Sequence, residues 1–191
     1  AGNTAIGYQS ANTTTTGHSN TLLGYQTGNA LATGASGMTI IGRDAGSATS
    51  SASSADCVFV GLNAGTGGTG AIARTIAIGK DALATSDARN SEANVAIGWS
   101  AMNGTWAGTV TDCIAIGGTS MDANLNGVTG AIAIGKDALG ALTTGARNIA
   151  IGYQSADSVD DGADNTVIGY QALASAAGNE TANTAIGSYA M

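Results

Sequence analysis

The residues able to do chemistry are few here and stand far apart. One histidine, two cysteines and thirteen carboxylates are spread over 191 residues that carry only six lysines and arginines. His18 sits in the run Thr13–Asn20 with no carboxylate or cysteine beside it, so it makes neither a catalytic triad nor a zinc site and reads as a loop histidine. Asp157, Asp160, Asp161 and Asp164 form the densest acidic group. Oxygen-rich loops bind calcium, but the spacing matches neither the EF-hand order nor the Gly-Gly-x-Gly-x-Asp nonapeptide. A solvated acidic loop is the preferred reading, and calcium is its alternative. Arg43 with Asp44, Lys80 with Asp81 and Lys136 with Asp137 are adjacent charge pairs on which nothing else converges. The Gly65–Gly70 stretch lacks the following Lys-Ser/Thr of a phosphate cradle. No catalytic residue, cofactor site or metal site is assigned, and the chain is not expected to be an enzyme.

Composition narrows the classes further. Leu, Ile, Val and Phe together make about 17% of the chain, which borders on disorder. Against disorder, fourteen of the fifteen isoleucines recur inside one short motif. A net charge of -7 argues against a nucleic-acid partner. No apolar run reaches the ~20 residues of a membrane span, so no membrane insertion is expected. The chain opens at Ala1 with the repeat already under way at Asn3 and still running at Met191. It therefore reads as an excerpt of a longer fibre.

The repeat is what must position everything else. Its glycines are Gly7, Gly24, Gly42, Gly61, Gly79, Gly98, Gly117, Gly135, Gly152, Gly169 and Gly187, spaced 17 to 19 residues apart. Counting from each glycine, position −3 is β-branched in all eleven copies, and position −2 is alanine in seven. Position −1 is aliphatic throughout: Ile6, Leu23, Ile41, Val60, Ile78, Ile97, Ile116, Ile134, Ile151, Ile168 and Ile186. Period-2 spacing of this kind marks a strand, and the glycine ends it. We expect residues 1–191 to form one array, an all-β parallel β-solenoid or β-roll of eleven coils. At ~4.8 Å per strand the rod would be roughly 50 Å long. The −1 and −3 side chains are expected to form the coil's own core ladder, and the flat alanine face to call for cover by a neighbouring chain. Position +3 is always small, and the remaining residues read as surface loops of variable length.

Several residues take meaning from this frame. Cys57 and Cys113 share position −4, where six copies have asparagine. Three coils apart, they stand ~14 Å from each other, beyond disulfide reach, and read as small buried thiols. Tyr8, Tyr25, Trp99, Tyr153 and Tyr170 share position +1. A packed column between chains is preferred there over glycan contact. Trp106 falls outside the regular positions, in the loop 103–112, and is the candidate recognition contact.

The copies NTAIGYQS (Asn3–Ser10), NIAIGYQS (Asn148–Ser155), NTVIGYQA (Asn165–Ala172) and NTAIGSYA (Asn183–Ala190) resemble known repeats. They are similar to those of YadA-like trimeric autotransporter adhesin heads, and more so to the Asn-Thr-Ala-Ile-Gly-Tyr arrays of bacteriophage tail-fibre and other virion fibre proteins. The longer period and the frequent Tyr-Gln after the glycine tilt the resemblance toward the virion fibre. It implies an interlocked homotrimer of left-handed β-rolls at the virion surface, supporting attachment to a host cell-surface glycan or protein. The alternatives are the head of a bacterial surface adhesin and a subunit of another extracellular filament.

Overall fold

The computed structural model describes residues 2–13, 16–31, 33–51, 53–85, 89–175 and 179–191. Fourteen strands run in chain order: β1 (Thr4–Ile6), β2 (Thr21–Leu23), β3 (Thr39–Ile41), β4 (Val58–Val60), β5 (Ile72–Ala73), β6 (Ile76–Ile78), β7 (Ser91–Glu92), β8 (Val95–Ile97), β9 (Val110–Thr111), β10 (Ile114–Ile116), β11 (Ile132–Ile134), β12 (Ile149–Ile151), β13 (Thr166–Ile168) and β14 (Thr184–Ile186). Eleven of them, one per repeat, make a single parallel sheet, and β5, β7 and β9 make a small second one. Pairing is residue for residue: Thr4 with Thr21, Ile76 with Val95, Ile151 with Ile168. The chain is an all-β parallel β-solenoid. No helix among the described residues is long and apolar enough to cross a membrane.

Each strand of the large sheet has three residues and each of the small one two, so most of a coil's backbone must be satisfied at its corners. Among the described residues twenty-six that are not glycine have positive φ, and all fall at positions −5, +2 or +4 of the repeat. At most of these corners the left-handed residue's own amide bonds to a neighbouring coil, which keeps the inter-coil ladder going through the bends. Gln26 N donates to Tyr8 O (2.8 Å), Leu83 N to Ala101 O (3.0 Å) and Arg74 N to Ala55 O (2.9 Å). Left-handed backbone costs about 1–2 kcal/mol per residue; satisfied amides offset that.

The asparagines at position −4 do the same with side chains. Asn20 Nδ2 donates to Ala35 O (3.0 Å), while its Oδ1 accepts the amide of Met38 (3.0 Å) in the coil above. Asn94, Asn148 and Asn165 repeat the arrangement. Both polar ends of a buried amide are thereby used, as burial requires. At Cys57 the thiol faces the equivalent carbonyl, Ile72 O, at 3.3 Å.

The interior is lined by position −2, not by its neighbours. Leu22, Ile40, Phe59, Ala77, Ala96, Ala115, Ala133, Ala150 and Val167 are all buried, and they face small buried residues at +3 such as Ala45, Ala82, Ala101 and Ala138. This corrects the expected core ladder. Ile6, Leu23, Ile41, Val60, Ile78, Ile97, Ile116, Ile134, Ile151, Ile168 and Ile186 point out of the coil and are half-buried or exposed, from 36% at Ile134 to 66% at Ile186 among the exposed ones. The reason is width. The return leg lies close behind the strand, so the space inside admits alanine with one larger partner and excludes a column of isoleucines.

That larger partner shows how tightly the space is shared. Where position −2 is alanine in the inner coils, +4 is often long and buried, as at Leu83, Met102, Met121 and Leu139. Where −2 is Leu22, Ile40 or Phe59, +4 is Gly28, Gly46 or Gly65. A Cβ on Gly65 would lie 2.5 Å from the Phe59 ring, and one on Gly28 2.4 Å from Leu22 Cδ2. Phe59→Ala is expected to cost about 3 kcal/mol or more, and adding Gly65→Leu to recover most of it. Leucine already occupies this left-handed position at Leu83 and Leu139 (φ 50 at both). Denaturant melts in which the double variant is no more stable than Phe59→Ala would show that the two positions do not share one space.

The loops are not only surface. Leu31, Trp106, Leu125, Leu142 and Val159 each drop into the same interior and are buried. Trp106 is 3% exposed, so it is corrected from a recognition contact to a core residue. Its place outside the regular positions reflects a loop filling space that the short strands leave.

Candidate functional site

The outward face of the eleven-stranded sheet carries two parallel columns of side chains. One is the −1 column; the other is the −3 column, which reads Thr4, Thr21, Thr39, Val58, Ile76, Val95, Ile114, Ile132, Ile149, Thr166 and Thr184. Residue-for-residue pairing stacks each aliphatic side chain on its counterpart. Through the six central strands, β4, β6, β8, β10, β11 and β12, both columns are Val or Ile without exception. Position −3 turns to threonine at both ends, so the driest part of the face is its middle. A monomeric surface rarely carries a continuous apolar patch beyond a few hundred Å². This one runs the length of the rod. Its side chains are aliphatic except for the threonine hydroxyls toward the ends, and no acid or base lies in either column.

Beyond the corner, position +1 borders this face. Tyr8 and Tyr25 stack with centroids 5.3 Å apart and planes at 17°, as do Tyr153 and Tyr170 at 5.3 Å and 11°. Lys136 Nζ lies 5.5 Å from the centre of the Tyr153 ring. In each pair one face of each ring is covered by its neighbour, which suits a scaffold column better than a sugar platform. Position +2 adds a polar ladder: Gln26 Nε2 donates to Gln9 Oε1 (2.8 Å) and Gln171 Nε2 to Gln154 Oε1 (2.7 Å).

The expected charge pairs form at the surface: Arg43–Asp44 and Lys80–Asp81 at 3.2 Å, Lys136–Asp137 at 2.5 Å. Exposed pairs of this kind contribute about 0–1 kcal/mol. Arg74 with Glu92, and Arg147 with Asp164, bridge adjacent coils. His18 is exposed, its Nδ1 3.3 Å from Ser19 Oγ, in a loop whose residues 14 and 15 lie outside the described ones. Cys57 and Cys113 are free and buried, and burial pushes both thiols up to about 11. A thiol so poised is inert at neutral pH.

The four aspartates do not converge. Arg147 holds Asp164 (2.6 and 2.8 Å), while Thr143 and Thr144 hydroxyls donate to Asp161 Oδ1 (2.9 and 2.6 Å). Those hydrogen bonds keep both carboxyls below the ordinary aspartate range. Asp157 and Asp160 instead line an open cleft of about 480 Å³ with Asp122, Asp137, Gly140, Ala141 and Ser158. Among the described residues no three His, Cys, Asp or Glu side chains are grouped to hold a metal ion.

Burial raises the Asp157 carboxyl, and Asp137 adds to the shift; Asp122 is raised by burial first and then by the Asp137 and Asp157 charges. A carboxyl whose pKa is raised on folding disfavours the fold once ionised. That cost is absent below its unfolded value and complete above its folded one. Asp157→Asn is therefore expected to raise the melting temperature at neutral pH, and to lose that gain as the pH falls through the raised folded value toward 3.8, the ordinary value. Melting curves of both proteins across that range check it; an equal or lower melting temperature for the variant at neutral pH contradicts it.

Compared with protein-family models, with curated proteins and with solved structures, the chain matches none.

Proposed function

We propose that this chain is a structural segment of an extracellular fibre, built by packing copies of itself along the outward aliphatic face. The observation that carries this reading is the pair of columns −1 and −3, aliphatic on both sides through six successive strands. The alanine face that was expected to call for a neighbouring chain is buried inside the coil; the neighbour in this reading packs on the opposite face of the strand. Residue-for-residue stacking makes the face straight and uniform, so a copy in the same register meets it with the same side chains at the same heights. Three copies about a common axis are what the resemblance of the Asn-Thr-Ala-Ile-Gly-Tyr motifs implies. It also implies a place at the virion surface, in a tail fibre or similar appendage supporting contact with a host cell-surface glycan or protein. The loops between strands vary in length and sequence while the strands keep one length and one aliphatic pattern, so recognition of a host belongs to the loops and structure to the strands. No enzymatic step is assigned to the chain.

Light scattering after size exclusion, over a wide concentration range, tests the assembly. A constant mass three times that of one chain is expected. A monomer at every concentration overturns the reading. Immunogold labelling of virions tests the location separately, and labelling of a bacterial cell surface instead would move the fibre to the other partner.

A further inference from the structure

We propose that Asn126 is a site of spontaneous succinimide formation, so that the chain acquires a new negative charge at one defined loop position as it ages. The inference is independent of how the chain assembles. Two Asn-Gly pairs occur in the sequence, Asn103–Gly104 and Asn126–Gly127, and the fold treats them in opposite ways. The reaction requires the backbone nitrogen of the following residue to reach the asparagine Cγ. A following glycine removes the side chain that would obstruct the approach and leaves the backbone free to rotate.

At Asn126 these conditions are met. Asn126 and Gly127 are both exposed. Gly127 has φ +76, and a Cβ placed on it would meet nothing within 4 Å. No acceptor among the described residues takes the Gly127 N–H. A Cβ placed on Gly108, in the coil below, would lie 2.6 Å from Asn126 Oδ1 and 2.7 Å from Gly127 N. The side-chain amide and the attacking nitrogen therefore lie on the same side of the loop. The Asn126 amide itself donates to Thr143 O at 2.7 Å, which anchors the loop just ahead of the reacting pair.

Asn103 has the same neighbour in sequence but not the same freedom. Gly104 is buried, and a Cβ on it would lie 1.8 Å from Ala123 O. The loop is thus pressed against the next coil. The Thr85 hydroxyl donates to the Asn103 carbonyl and lies 3.3 Å from its Oδ1. Closing a ring there would require the two coils to part.

The step balances without any co-reactant but water. Gly127 N bonds to Asn126 Cγ, the Cγ–Nδ2 bond breaks, and ammonia leaves with the amide proton. Water then opens the ring at either carbonyl, giving aspartate or isoaspartate. Nothing is oxidised or reduced.

The folded protein, aged in mildly alkaline buffer, is digested and sequenced by mass spectrometry. A gain of one mass unit with isoaspartate at Asn126 is expected, with Asn103 unchanged over the same time. In Asn126→Gln, where the competing ring is six-membered, the gain should be lost. Circular dichroism of the aged sample checks that it is still folded. Equal conversion at the two sites, faster conversion at Asn103, or an unchanged Asn126 overturns the proposal.

Discussion

Gly98→Val is expected to split the solenoid at its sixth coil. Gly98 has φ +137, and a Cβ there would lie 2.6 Å from the carbonyl oxygen of Gly117 in the next coil. Such backbone is essentially reserved for glycine and costs another residue about 1–3 kcal/mol. The collision adds to this, because it is with backbone that cannot move alone. Gly117 N donates to Ile97 O at 2.8 Å, and Thr119 N to Trp99 O at 2.9 Å. Relieving the contact lengthens those bonds and the ones beside them, at about 1 kcal/mol each. In a stack where each coil touches only its neighbours, one lost interface leaves two shorter arrays, each with a new open edge. A large drop in melting temperature is expected, with new protease cleavage near the sixth corner. Gly127→Ala is the control, since its positive φ comes without a collision; it should cost only about 1 kcal/mol. Valine at position 98 melting with the parent protein would refute the account of the corner column, in which nine other corner glycines meet the next coil in the same way.

Adjacent residues of β8 are expected to give opposite outcomes. Ala96→Asp places a carboxylate in a space with 0% exposure and no cation in it. An unpaired buried charge costs several kcal/mol even after relaxation, so this variant should not fold. Ile97→Asp puts the same group on the outward column, where one chain alone leaves it water. It should keep the strand-rich spectrum of the parent and lose self-association, running as a monomer at concentrations where the parent assembles. Circular dichroism with light scattering reads both properties on both variants. If Ile97→Asp unfolds the chain while Ala96→Asp is tolerated, the inward and outward positions have been exchanged.

That pair also marks where the sequence stops being readable. The period, the parallel strands, their register and the corner glycines were all legible, because each follows from residues that repeat along the chain. Fourteen isoleucines in one motif admit hardly any other stacking. Period-2 alternation shows that a strand has two faces, yet it does not say which is inside. The larger side chains at −1 and −3 made the wrong face look like the core. A clue was present in the exchange between −2 and +4, where Phe59 goes with Gly65 and Ala77 with Leu83. It becomes legible once the two positions are known to share a space.

The candidate site followed the same division. The surface charge pairs lie next to each other in the chain, so they were visible without a fold. The aspartates of the acidic group were also neighbours in sequence, but Arg147 and two threonines from the coil before claimed Asp164 and Asp161. Trp106 looked free because it broke the pattern, and is buried because a loop of its length reaches back into the coil. By itself, then, the sequence determined the rod: how often it turns, where it bends and how its strands align. The tertiary structure alone decided which side of each strand is dry within the chain and which faces out. That choice depends on the distance across a coil, a quantity set by the return leg and not by any single motif.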